Sequence, residues 1–345
     1  MKIRNQILSF VAILVVALMT FSCSTDEPKE VTPFKSIVDI AKADPTNFSI
    51  LVDALKKTGL EATLTSAGSY TVFAPTNAAF TAAGYTSAGI NALTAPADNV
   101  AIANLRLILQ NHVVGIGTKS DDLLAAGYTR TFASVRVPSS GTTSLNLNVF
   151  VNTVGTDVLV NGGVANGGAK VTTANIVASN GLIHVVNGVI LLPTIVNHIK
   201  ANPNLSSLLG VVTSAPQASV LATLTGATAA APITVYAPDN GAFTAATATG
   251  GYLVGKTDAQ VTSILRYHLE NGNRTSSSAT SFTSSTATTD VSVTTLFTPN
   301  KFTILLGTVK IKDVVGTTNG TIKTVNIQGT NGAIHVIDKV LQPFM

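Results

Sequence analysis

The chain of 345 residues has no tryptophan, one cysteine and an unusually small complement of charge. Asp, Glu, Lys and Arg make up 11% of it, less than half the usual share of about a quarter. The net charge is +4 with no basic cluster behind it, so the composition carries no nucleic-acid footprint. One cysteine cannot form an intramolecular disulfide, so stability has to come from packing. Aromatic residues reach only 6%, which argues against a site that grips sugars by broad stacking. The 27 glycines and 13 prolines are too few for a collagen-like or low-complexity chain. What remains is apolar. Hydrophobic residues make up 46%, and the mean hydropathy of +0.40 favours collapse over disorder. At roughly 150 residues per domain the length suggests two domains. The exposed polar surface must be built largely from Ser, Thr and Asn.

The single cysteine lies where it carries information. Lys2 and Arg4 precede an apolar run, Ile7 to Met19, broken only by Ser9. That run is shorter than the ~20 residues a spanning helix needs, and it suits a signal peptide. Thr20-Phe21-Ser22-Cys23 resembles a bacterial lipobox, which implies cleavage before Cys23 and lipidation of its thiol. Residues 1–22 are then a leader and 23–33 a polar tether. The acidic pair Asp26-Glu27 resembles the export signal that carries lipoproteins to the cell surface in Bacteroidetes. The expected location is the cell envelope, as an outer-membrane lipoprotein. An ordinary secretory peptide with an incidental cysteine is the alternative.

An internal repeat dominates the rest. Thr71-Val72-Phe73-Ala74-Pro75-Thr76-Asn77-Ala78-Ala79-Phe80 recurs as Thr234-Val235-Tyr236-Ala237-Pro238-Asp239-Asn240-Gly241-Ala242-Phe243. Asn180-Gly181-Leu182-Ile183-His184-Val185-Val186 recurs as Asn331-Gly332-Ala333-Ile334-His335-Val336-Ile337. Ser36-Ile37-Val38 through Pro45 recurs as Thr194-Ile195-Val196 through Pro203. Three matches in one order mark a tandem duplication. The copies are assigned to 34–193 and 194–345, abutting at Pro193-Thr194, which restricts their relative orientation. Each opens with a helical stretch and closes with an apolar strand, so the fold class is α+β.

The repeated residues resemble the fasciclin domain, an extracellular adhesion module. Its first signature is similar to Thr71–Phe80 and Thr234–Phe243, its second to Gly181–Pro193 and Gly332–Pro343. The family's intervening Tyr-His pair is matched by Tyr267-His268, whereas Asn111-His112 keeps only the histidine. The resemblance implies two compact sandwiches or wedges of about seven strands with helices packed around them. It also implies adhesion without catalysis. Animal members meet integrins through the Tyr-His region; lacking the tyrosine in one copy, this chain is not expected to share that partner.

Elementary chemistry points the same residues inward. Pro75 and Pro238 must end a strand, because proline cannot donate to a continuing ladder. Thr76 or Asp239, with Asn77 or Asn240 behind it, can cap the next turn. Leu105, Ile108, Leu109, His112 and Val113 repeat at helical spacing, as do Val261, Ile264, Leu265, His268 and Leu269. His112 and His268 are therefore expected on the apolar stripe of a helix, and His184 and His335 inside buried strands. A neutral imidazole can satisfy one buried donor and one buried acceptor, which suits a structural latch. His198, where the first copy has Ile40, is expected exposed or packed along its helix.

Gly250-Gly251-Tyr252-Leu253-Val254-Gly255-Lys256-Thr257 fits the phosphate-loop pattern letter for letter. That chemistry needs a buried strand before the loop, and Thr244–Thr249 is no such strand. Thr257-Asp258-Ala259-Gln260 reads better as a capping box. No cofactor, catalytic residue, metal site, nucleotide or nucleic acid is expected. The partners implied are a membrane, through the acyl anchor, and a protein or polysaccharide surface ligand. Recognition is expected on exposed residues that differ between the copies, including the Ser/Thr run 275–289. The alternative is capture of a glycan or peptide, with a concave site at the domain junction lined by aromatics; a third reading is a hydrolase or metal enzyme built on a helix and a strand histidine, which lacks a visible third ligand.

Overall fold

The computed structural model describes residues 34–136, 144–276, 290–305, 309–316 and 319–345. Cys23 and most of the 275–289 run lie outside them. Lys35–Met345 packs as one compact unit containing two copies of the same α+β arrangement.

In the first copy helices α1 (Ile37–Ala43), α2 (Pro45–Thr58) and α3 (Glu61–Thr65) lead to strand β1 (Tyr70–Pro75). Helices α4 (Asn77–Ala82), α5 (Ser87–Ala92) and α6 (Asn99–Gln110) follow. Then come β2 (Val113–Val114), α7 (Ser120–Ala126), β3 (Tyr128–Arg136), β4 (Ser144–Val154), β5 (Asp157–Val160), β6 (Ala169–Ala178) and β7 (Gly181–Val186). The second copy repeats this with α8 (Ile195–Ala201), α9 (Ser206–Val212), α10 (Ala218–Gly226), β8 (Ile233–Pro238), α11 (Asn240–Thr247) and α12 (Asp258–Tyr267). Its remaining strands are β9 (Leu269–Asn271), β10 (Val291–Thr294), β11 (Lys301–Leu305), β12 (Lys310–Lys312), β13 (Gly320–Gly329) and β14 (Gly332–Ile337).

Each copy folds its strands into a seven-stranded sheet, ordered β2-β1-β7-β6-β5-β4-β3 and β9-β8-β14-β13-β12-β11-β10. The two orders are the same, strand for strand. Among the described strands only β1·β7 and β8·β14 run parallel. Alternation along β1 splits two cores. Val72 and Ala74 face the helices, while Phe73 joins Val114, Val149, Val160 and Val186 on the other side. In β8 Val235 and Ala237 face the helices, and Tyr236 joins Val293, Phe302 and Ile311.

The Asn-Gly of the second signature starts the parallel strand. Gly181 has φ 153°, and a Cβ there would lie 2.0 Å from the Tyr70 carbonyl oxygen; Gly332, at φ 146°, would clash likewise with Ile233 at 1.9 Å. Only glycine allows that approach. The preceding asparagine ties the copy's first helix to this point. Asn180 accepts from the Ile37 N–H (3.0 Å) and donates to Leu64 O (2.7 Å). Asn331 accepts from Ile195 N–H (2.8 Å) and donates to Leu224 O (3.1 Å).

Candidate functional site

Pro75 and Pro238 are the last residues of β1 and β8. Thr76 and Asp239 cap the helix that follows, accepting from Ala79 N–H and Ala242 N–H. Asn77 and Asn240 differ from expectation: neither caps its own helix. Each amide reaches back to an earlier one. Asn77 Oδ1 accepts from Ile50 N–H (2.9 Å) and its Nδ2 donates to Pro45 O and Thr46 O (3.1 and 2.9 Å). Asn240 accepts from Ser207 N–H and donates to Pro203 O, both at 2.9 Å. The N-cap oxygen was already supplied one residue earlier, leaving the asparagine to close a tertiary contact.

The four repeated histidines are buried, and each bridges a donor and an acceptor. His112 and His268 do not sit within the helices, as their spacing predicts, but just past the ends of α6 and α12. Their Nδ1 groups lie 2.8 Å from the carbonyls of Ile108 and Ile264. Their Nε2 atoms accept at 2.9 Å from the backbone N–H of Ile190 and of Leu341. That acceptor role fixes the proton on Nδ1. The strand pair uses the opposite tautomer. His184 Nδ1 accepts from Asn175 N–H (3.3 Å) and its Nε2 donates to Thr118 O (3.1 Å). His335 Nδ1 accepts from Asn326 N–H (3.2 Å), and its Nε2 donates to Arg274 O (3.0 Å). Burial lowers the pKa of His112, His268 and His335 to about 4, opposed by the carbonyl each ring faces. These imidazoles are neutral and closed in. Among the described residues no three His, Cys, Asp or Glu side chains converge to hold a metal ion.

Tyr267 is fully buried, donating its hydroxyl to Lys301 O at 2.7 Å and packing its ring edge-on against Phe302. Asn111, in the equivalent place, donates to Leu191 O (3.0 Å) and accepts from Thr131 Oγ1 (3.1 Å). The glycine-rich run 250–257 follows helix α11 rather than a strand, and Thr257 with Gln260 forms a capping box on α12.

Among the described residues, one of two open hollows of about 620–630 Å³ lies where the copies meet; the other, beside Ala222 and Pro232, lies within the second copy. The cleft of about 630 Å³ lies between β3 and β4 of the first copy and β13 and the turn joining α8 to α9 of the second. Tyr128 and Arg130 pair across from Phe150 and Asn148, so these four share one face of the β3–β4 hairpin. Tyr128 packs 4.6 Å from Phe150 and 5.7 Å from His198. His198 is fully buried, correcting the expectation of an exposed or merely helix-packed residue. It is sequestered because the first copy covers α8; its Nε2 donates to Gln328 O at 3.3 Å, and its Nδ1 has no partner among the described residues. Desolvation holds it at about 4. Further bonds fix the cleft walls: Gln328 N–H to Asn148 Oδ1 (2.9 Å) and Asn202 Nδ2 to the Tyr128 hydroxyl (3.4 Å). Asn166 and Asn197 exchange amide-to-carbonyl bonds at 2.8 and 3.1 Å. A smaller hollow of about 200 Å³ adjoins, sharing Arg130 and Asn326 with the cleft.

The Fasciclin domain profile matches residues 46–193 and again 203–343. The chain belongs to the Fasciclin domain family. Fasciclin domains are associated with cell adhesion and interaction. The chain is 34% identical over 164 residues to the pig (Sus scrofa) transforming growth factor-beta-induced protein ig-h3, an alignment covering 47% of this chain. It spans only 20% of that relative's length. Among solved structures, the FAS1 domain pair of the insect cell adhesion molecule fasciclin I aligns with 89% of this chain and 95% of its own. The TM-score is 0.46 and the identity 16%. In this fasciclin pair the signature residues are spent on closing each domain, whereas the junction cleft is made by residues outside the signatures. The junction site was foreseeable only as a place, since β3, β4 and β13 become neighbours through the domain contact and not through any motif.

Proposed function

We propose that this protein is a cell-envelope adhesion protein without catalysis, binding matrix, host or neighbouring-cell surface components through its two fasciclin domains. The single observation carrying this is the duplication itself: two complete copies of an adhesion-type domain. The inward orientation of the repeated histidines supports it, because they are structural partners of backbone groups and not a reactive set. In this reading residues 1–22 are removed, Cys23 carries the lipid, and 23–33 tether a first domain of 34–193 and a second of 194–345. Several acyl chains at ~0.8 kcal/mol per buried CH₂ hold such a protein firmly to an outer membrane. Its partners are the membrane and a surface protein or polysaccharide, not nucleic acid or nucleotide.

The test compares attachment of cells that carry and lack the gene to matrix-coated, polysaccharide-coated and bare surfaces. Loss of attachment on deletion, restored by the intact gene, is the expected result; unchanged attachment ends the adhesion reading. Cys23→Ser is expected to release the protein from the membrane fraction, and retention would remove the anchor. Cleavage by added protease on intact cells reports whether the domains face outward.

A further inference from the structure

The junction cleft has features that neither adhesion in general nor the closure of the two domains requires. Its volume of about 630 Å³ lies within the ~300–1,000 Å³ of small-ligand sites, which favour domain interfaces. Its walls are preset by the bonds from Asn148, Asn202 and His198. Yet several polar side chains around it are unmatched among the described residues. Arg130 is exposed and has no carboxylate partner. Asn148 uses Oδ1 on Gln328 and leaves its NH₂ free. Asn152 has its Oδ1 buried without a partner, and Asn204 projects from the opposite wall. Arg130, the Asn148 amide and Asn204 thus present polar groups that a ligand can engage without displacing a protein partner.

The chemistry of these groups narrows the ligand. The Arg130 guanidinium and the Asn148 NH₂ are N–H donors, the Asn204 amide offers both a donor and an acceptor, and no Asp or Glu lines either hollow. They therefore suit a molecule rich in oxygen acceptors and carrying negative charge, with an oxyanion on the guanidinium fork of Arg130. β4 is paired by β3 and β5, and β13 by β12 and β14, so neither offers an open edge, whereas β3 ends its sheet; the acidic peptide in the titration below tests that edge. Stacking is minor, because Phe150 is only 8% exposed beneath Tyr128. The smaller hollow, meeting the larger at Arg130 and Asn326, extends the path for a chain longer than one sugar.

We propose that the interdomain cleft binds an acidic oligosaccharide, with Arg130 holding its oxyanion and Asn148 and Asn204 holding its hydroxyls. This rests on the reading of the chain as a surface-binding protein and names the class of partner.

The full-length protein in detergent is titrated with uronate oligomers, sulfated oligomers, their neutral counterparts and an acidic peptide. Saturable binding of an acidic oligosaccharide is expected. Arg130→Gln should weaken it about 10- to 100-fold, the range for losing a charge-assisted bond, with neutral-sugar binding and the melting temperature unchanged. A second variant, Asn204→Trp, fills the cleft from an exposed wall and should abolish binding of every sugar. The uronate and sulfate arms separate the two oxyanion sources. No sugar binding, binding insensitive to both variants, or binding of the peptide alone would overturn the proposal. The variants are then scored for cell attachment. Attachment without sugar binding rejects the cleft and spares adhesion, whereas sugar binding with no attachment phenotype on deletion does the reverse.

Discussion

The two domains keep one sheet order but fill one place in it with opposite chemistry. In the second, the Tyr236 hydroxyl donates to Glu270 (3.0 Å), and Arg274 meets the same carboxylate through Nε at 2.9 Å and Nη2 at 2.5 Å. The register puts Phe73, Val114 and Thr118 at the equivalent positions of the first. What does not change is the imidazole beside them, His184 or His335, and the threonine, Thr71 or Thr234, that accepts the next backbone N–H. Thr118 and Arg274 can exchange because the latch common to both domains uses only their backbone groups. The sheet tolerates an apolar or an ionic filling, whereas the backbone latches admit no such freedom.

The largest expected difference between the domains is in acid. Burial holds His198, His268 and His335 of the second at about 4, and His112 of the first. His184 is lowered as well. A folded pKa below the unfolded value of about 6.5 means the unfolded chain binds more protons between those limits. The stabilisation is therefore complete above about pH 6.5 and lost as pH falls towards 4, by about 3 kcal/mol for each fully buried ring. Thermal unfolding followed across that window should show the second domain melting first. A melting temperature flat from pH 6.5 to 4 would contradict the burial of these rings.

Next in size is the ionic cluster. Glu270→Ala leaves Arg274 and the Tyr236 hydroxyl buried without their acceptor, at a cost of about 3–5 kcal/mol by denaturant unfolding. The triple exchange Tyr236→Phe, Glu270→Val, Arg274→Thr imports the first domain's solution and should recover most of that loss. If the triple variant is as unstable as the single one, the two fillings are not interchangeable.

His112→Ala and His268→Ala probe what the copies share. Each strands one buried N–H, of Ile190 or Leu341, so both should cost about 1–3 kcal/mol, and similarly. A clear inequality in unfolding free energy would mean that the two latches are not equivalent. The smallest expected effect is from Asn77→Ala and Asn240→Ala, at about 1 kcal/mol each, comparable to losing a helix cap. Hydrogen exchange at Ile50 and Ser207 should quicken in the respective variants, and unchanged exchange there would dissociate the amides from those helix starts.

The duplication, the α+β class, the strand-ending prolines and the buried histidines were legible in the chain because they rest on local periodicity and on repeated residues. Local reasoning misplaced Asn77, which bonds a helix some 27 residues earlier. It also misread His198, whose burial depends on β4 and its hairpin partner β3 from the other copy. Sequence by itself determined which residues each domain must bury, since hydrophobic alternation, glycine at a strand crossing and proline at a strand end obey short-range sterics. Only the tertiary structure decided where Tyr128, Arg130 and Asn148 would face Asn204 and Gln328. Their meeting depends on how two finished surfaces dock, which no spacing along one chain encodes.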